Sequence, residues 1–106
     1  MKNLYKTPWH VRQFVKKELE DYKGNKKLLQ NYTGNTRGLI LINQRITQIE
    51  NVVERLNKED KEAFNIIFID HYTQQGAEVA KGLSKTAYYY AMNKIIYLTA
   101  VEMNLL

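Results

Sequence analysis

The sequence predicts an all-α protein. Apolar residues recur at steps of three and four wherever a stretch is long enough to judge, and no run alternates apolar and polar residues as a half-buried strand requires. Helix-capping residues also stand at the starts of these stretches. The chain has 106 residues, with 44% hydrophobic and 25% charged residues. That composition is ordinary for a globular protein, and the length allows one domain with a modest core, or one small domain with an extension.

The first helix starts at Thr7-Pro8, with Thr as N-cap and Pro at the first helical position, where its missing N–H matters least. It runs through Val11, Phe14, Val15, Leu19 and Tyr22 until Gly24-Asn25 interrupts or ends it. Lys26 to Tyr32 adds another turn or two, and Thr33 to Gly38, with two glycines and no apolar residue, reads as a loop. The next helix is the most regular. Leu39, Ile42, Ile46, Ile49, Val53 and Leu56 form a heptad seam that packs either on the first helix within the monomer or against a second copy in a dimer. Together these two helices are expected to form an N-terminal hairpin over residues 1–56.

Residues 57–106 form the second expected unit. Asn57 caps a helix with Glu59 and Asp60 in its first turn, where the helix dipole favours acids. The helix continues through Ala63, Phe64, Ile66, Ile67, Phe68 and Ile69, apolar on nearly all sides and therefore central. Thr73 to Gly76 reads as a turn, Ala77 to Lys81 as one short helix, and Gly82 as its end. Ser84 then caps a long final helix whose inner side carries Tyr88, Ala91, Ile95 and Leu98. A buried helix, a short helix, a glycine turn and a Ser-capped helix in this order make a helix-turn-helix, whose second helix enters the DNA major groove N-terminus first.

The same residues carry a more specific likeness. They are the Val53-Glu54-Arg55-Leu56 lead-in, the apolar Phe64-to-Tyr72 helix and Val79-Ala80 before the turn. Leu83-Ser84, Tyr88-Tyr89-Tyr90, Asn93-Lys94-Ile95-Ile96 and Ala100 follow. The stretch resembles the C-terminal half of phage-encoded transcriptional regulators of the ArpU and RinA type, whose helix-turn-helix is similar to region 4 of bacterial sigma factors. The Val11-to-Tyr32 helix also resembles that family's N-terminal helix. Ala80 lies only two residues before Gly82, which puts Ala77 at the inner position of the turn, and the final helix carries only Lys85 and Lys94 as cations.

The resemblance implies a double-stranded DNA-binding transcriptional regulator of phage or prophage genes. On the outward side of the final helix and its turn, the candidate DNA contacts are Lys81, Ser84, Lys85, Thr86, Tyr89, Tyr90, Asn93 and Lys94. Asn93 can pair with adenine through two hydrogen bonds, and Ser84, Thr86 and the helix N-terminus can bind phosphate. The alternative is a helical adaptor or inhibitor with a degenerate helix-turn-helix that binds a DNA-binding protein or RNA polymerase.

Charge is unevenly distributed. Residues 1–37 carry nine Lys/Arg against three acids, for +6, while residues 73–106 carry three against two, for +1, within a total of +5. Lys16, Lys17, Lys23, Lys26 and Lys27 are therefore candidate phosphate or partner contacts, and a homodimer or RNA polymerase is the expected source of additional affinity.

Enzymatic chemistry is not expected. The chain has no cysteine, its two histidines, His10 and His71, lie far apart, and no glycine-rich phosphate loop occurs. No metal, cofactor or small-molecule substrate is anticipated. The longest apolar run, Leu39 to Ile42, is too short to span a bilayer, and the start lacks a signal core, so a cytoplasmic protein is expected.

Overall fold

The computed structural model describes residues 5–31 and 37–106. Among them all regular structure is helical, as the spacing predicts. The helices are α1 (Trp9–Asn31), α2 (Arg37–Arg55), α3 (Lys58–Phe64), α4 (Gln74–Lys81) and α5 (Lys85–Glu102), with a π-helix at Asn65–Ile69 continuing α3.

α1 starts one step later than its sequence signals. The Pro8 carbonyl accepts the first helical bond from the Arg12 N–H at 2.9 Å, so Pro8 rather than Thr7 is the cap. The Thr7 hydroxyl oxygen is buried with no hydrogen-bond partner. The expected break at Gly24-Asn25 is absent, and α1 runs straight through both residues. A mid-helix glycine is unfavourable, but contacts on either side outweigh it. Tyr22 packs edge-on against Phe64 at 5.9 Å and Lys26 bridges to Glu50 at 2.8 Å. The expected loop at 33–38 lies partly outside the described residues, and Arg37 and Gly38 already belong to α2.

α2 packs against α1 through side chains of both helices. The Arg45 guanidinium lies over the Phe14 ring at 5.2 Å, whereas Glu50 meets Tyr22 and Lys26. Half of the heptad seam is buried inside this single chain: Ile46 is 5% exposed, Ile49 1% and Leu56 7%. Val52, outside the seam, is buried too, whereas Leu39, Ile42 and Val53 are half-buried.

Asn57 caps α3 as predicted, its Oδ1 accepting from the Asp60 N–H at 2.8 Å. The π-helix has no sequence signature, yet the composition gives a reason for it. Four consecutive apolar residues, Ile66 to Ile69, cannot all face one side of a regular α-helix. A wider turn gathers them toward the core, burying Ile67 and Phe68 and half-burying the other two. His71 then ends the segment with φ of 56°.

The segment 73–76 is not a free turn. Thr73 is the N-cap of α4, accepting from the Gly76 N–H at 3.1 Å, and α4 begins at Gln74. One hydrophobic core joins Val15 and Leu19 of α1, Ile49 and Leu56 of α2, Phe64 and Phe68, Ala77 of α4 and most of the inner side of α5. The core draws on residues from both sides of position 56. α5 is its central element, buried along two sides from Tyr88 to Ala100.

Candidate nucleic-acid interface

The turn between α4 and α5 forms for reasons readable in its residues. Gly82 adopts φ of 68°, a left-handed conformation open to glycine without a Cβ penalty. Its N–H and that of Leu83 bond the carbonyls of Glu78 and Ala77, both at 3.2 Å, closing the end of α4. Ala77 is fully buried at the inner position, and Val79 is 88% exposed, so the short helix packs through its alanine. Ser84 caps α5 by accepting from the Ala87 N–H at 3.2 Å. The Tyr88 hydroxyl donates to the Tyr72 carbonyl at 2.8 Å and ties the start of α5 to the lead-in of α4. Burial pushes the Tyr88 phenol up, with smaller contributions from Tyr89 and Glu20, and so keeps it a donor.

The outward residues of α5 fall into two groups. Lys85 and Thr86 are exposed, and among the described residues neither side chain is hydrogen-bonded within the chain. With the free N–H groups of the first turn they form a positive end. Tyr89 and Tyr90 are exposed beside them, Tyr90 edge-on to Tyr5 at 5.7 Å. Lys81 is exposed on α4, its ammonium 5.6 Å from the centre of the Tyr72 ring.

Asn93 and Lys94 are engaged elsewhere. Asn93 Oδ1 accepts from the Arg12 guanidinium at 2.6 Å, so two-bond recognition of adenine by Asn93 requires Arg12 to release or share that oxygen. The Lys94 ammonium donates to Asp60 at 2.7 Å in a mostly buried pair. The Asp60 hydrogen bond raises its pKa against the opposing effect of burial.

The residue that sequence reasoning missed is Arg12. Its partner is 81 positions away, and no local pattern announces the pairing. Lys16, one turn further along α1, lines a shallow cleft with Thr73, Tyr88 and Met92. Arg12 and Lys16 therefore lie alongside Tyr88 to Asn93 of α5, with Glu20 in the same cleft as Lys16. The other α1 lysines lie elsewhere: Lys17 pairs with Asp21 at 3.3 Å, Lys26 with Glu50, and Lys23 and Lys27 are exposed on the second half of α1.

Among the described residues no group of three or more His, Asp or Glu side chains is positioned to hold a metal ion. No helix among them is long and apolar enough to cross a membrane.

No family model matches this chain, and neither a curated protein nor a solved structure matches it significantly. The likeness to ArpU- and RinA-type regulators rests on the residues quoted above.

Proposed function

We propose that this protein is a double-stranded DNA-binding regulator that presents the first turns of α5 to the major groove. The observation that carries the reading is the Arg12–Asn93 bond. Through it Arg12 lies beside an α5 that is itself poor in cations, and Lys16 follows one turn along α1. In this arrangement α5 offers Lys85, Thr86, Tyr89 and Tyr90 to base edges, while Arg12 and Lys16 reach backbone phosphates. Phosphate contacts give affinity and register, and base contacts give sequence preference. The resemblance to phage regulators makes promoters of phage or prophage genes the proposed targets.

One short recognition segment with few cations binds weakly alone. A second copy or RNA polymerase, held nearby, would raise the effective concentration of contacts. A dimer contact on α2 would use Ile40 and Leu41, which are exposed, rather than Ile46 and Ile49.

The test is fluorescence anisotropy with a random duplex and with DNA from upstream of the protein's own gene cluster, across a salt series. Tight binding to one fragment, lost in a folded Lys85→Ala/Thr86→Ala variant, supports the reading. Sequence-blind binding that disappears near physiological salt sinks it. The second reading, a protein-interaction adaptor, draws on the engagement of Asn93 and Lys94 by Arg12 and Asp60, which leaves α5 a largely tyrosine surface. Tyrosine is enriched at protein interfaces.

A further inference from the structure

At the opposite end of α1 from Arg12, an open groove of about 510 Å³ lies between α1, α2 and the π-helix. Its floor is largely apolar, formed by Tyr22, Val53, Phe64 and Ile69, with Gln30 and Asn65 as neutral polar neighbours. Phe64 is buried, but Tyr22, Val53 and Ile69 are only half-covered, so apolar surface remains open to water. The α1 wall carries Lys23 and Lys27, both exposed and, among the described residues, in no ion pair. Lys26 is held by Glu50 at 2.8 Å and belongs to the scaffold of the groove.

Floor and wall make different demands on a ligand. The lysines favour an anion, and the apolar floor favours hydrophobic side chains, which a bare phosphate does not offer. A polypeptide helix with apolar side chains along one face and carboxylates beside them satisfies both. We propose that this groove docks an acidic amphipathic helix of a partner protein. Apolar anchors spaced one turn apart would enter over Val53 and Ile69, with Glu or Asp side chains meeting Lys23 and Lys27. The π-helix supports the assignment, because such turns recur at functional sites and this one brings Ile69 to the groove. The inference does not rest on the DNA contacts proposed for α5, Arg12 and Lys16, and it assigns Lys23 and Lys27 to a protein partner rather than to phosphate.

The test uses a synthetic peptide helix with leucines at steps of three and four and glutamates between them. Nitrogen-15 NMR maps where it binds on the full chain, and anisotropy measures affinity. Saturable shifts concentrated on Tyr22, Lys23, Lys27, Val53 and Ile69 are expected. Charge reversal by Lys23→Glu with Lys27→Glu, at exposed positions that leave thermal unfolding unchanged, should weaken binding about tenfold or more and reduce its salt sensitivity. A scrambled peptide of the same composition should bind at least as poorly as the reversed variant binds the original. Absence of saturable binding, shifts centred elsewhere, equal affinity for the reversed variant, or stronger shifts of the same groove by a short DNA duplex would each overturn the proposal.

Discussion

The guanidinium of Arg12 donates a 2.6 Å hydrogen bond to Oδ1 of Asn93, joining the first turn of α1 to the middle of α5 across 81 residues of sequence. A second contact of the same guanidinium reaches the Met92 sulfur at 3.8 Å. Arg12 thus fixes the orientation of the Asn93 carboxamide and sets a cation beside the outward side of α5.

Arg12→Ala is therefore expected to act on binding more than on folding. In the DNA-binding reading, the loss of one phosphate contact lowers the slope of log affinity against log salt by about 0.9. Arg12→Lys keeps the charge but not the planar fork, so it should retain the salt slope while releasing Asn93. Salt-dependent anisotropy on the three proteins checks this. An unchanged slope in Arg12→Ala would place Arg12 away from the phosphates.

Two glycines should respond to alanine with opposite signs. Gly24 sits inside α1 with open space where a Cβ would project, so Gly24→Ala should stabilise the protein by about 0.5–1 kcal/mol. Gly82 also has open space, but its φ of 68° penalises any side chain, and Gly82→Ala should destabilise by about 1 kcal/mol. Urea unfolding of both variants checks the pair, and a stabilising Gly82→Ala would contradict the left-handed turn.

Tyr88→Phe removes the hydroxyl that bonds the Tyr72 carbonyl, while the ring still fills its place in the core. The expected loss is about 1–2 kcal/mol, because the carbonyl forfeits a partner in a partly buried site. Amide hydrogen exchange should show the loss around residues 72–76 and at the start of α5. Loosening spread evenly over the whole chain would argue against a local tie between the two segments.

The Glu50 cluster predicts an acid-sensitive element of stability. The Lys26 hydrogen bond, then that of Tyr22, holds the Glu50 carboxyl below its ordinary value of 4.5, against the effect of burial. A depressed folded-state pKa stabilises the protein above the unfolded value, and that contribution is lost as pH falls through the folded one. Wild type should therefore lose stability relative to Glu50→Gln as pH falls from neutral to below about 4.5, as read from urea midpoints. At the other limb, Lys94 is raised by Asp60, so its contribution persists below its ordinary value of 10.5 and fades as pH rises beyond it. A constant gap between Glu50→Gln and wild type from neutral to acid pH would refute the cluster.

Much of the fold was legible from local chemistry. Asn57 and Ser84 cap their helices as short polar residues do, Gly82 takes the left-handed turn, and Tyr88, Ala91 and Ile95 face inward at helical spacing. Those features depend on a few neighbouring residues, so the sequence by itself determined them. Where tertiary contacts compete with local preference, only the folded chain decided. Gly24 stays helical because Tyr22 and Lys26 are held on either side of it. The heptad seam is equally suited to a partner or to its own chain, and only the folded chain shows that Ile46 and Ile49 are buried within it. The π-helix arises because four consecutive apolar residues must share one core. The candidate interface divides the same way. Exposure of Lys85, Thr86, Tyr89 and Tyr90 follows from helical period alone. The engagement of Asn93 by Arg12 and of Lys94 by Asp60 depends on how α1 and α3 pack on α5, and no periodicity within α5 contains that information.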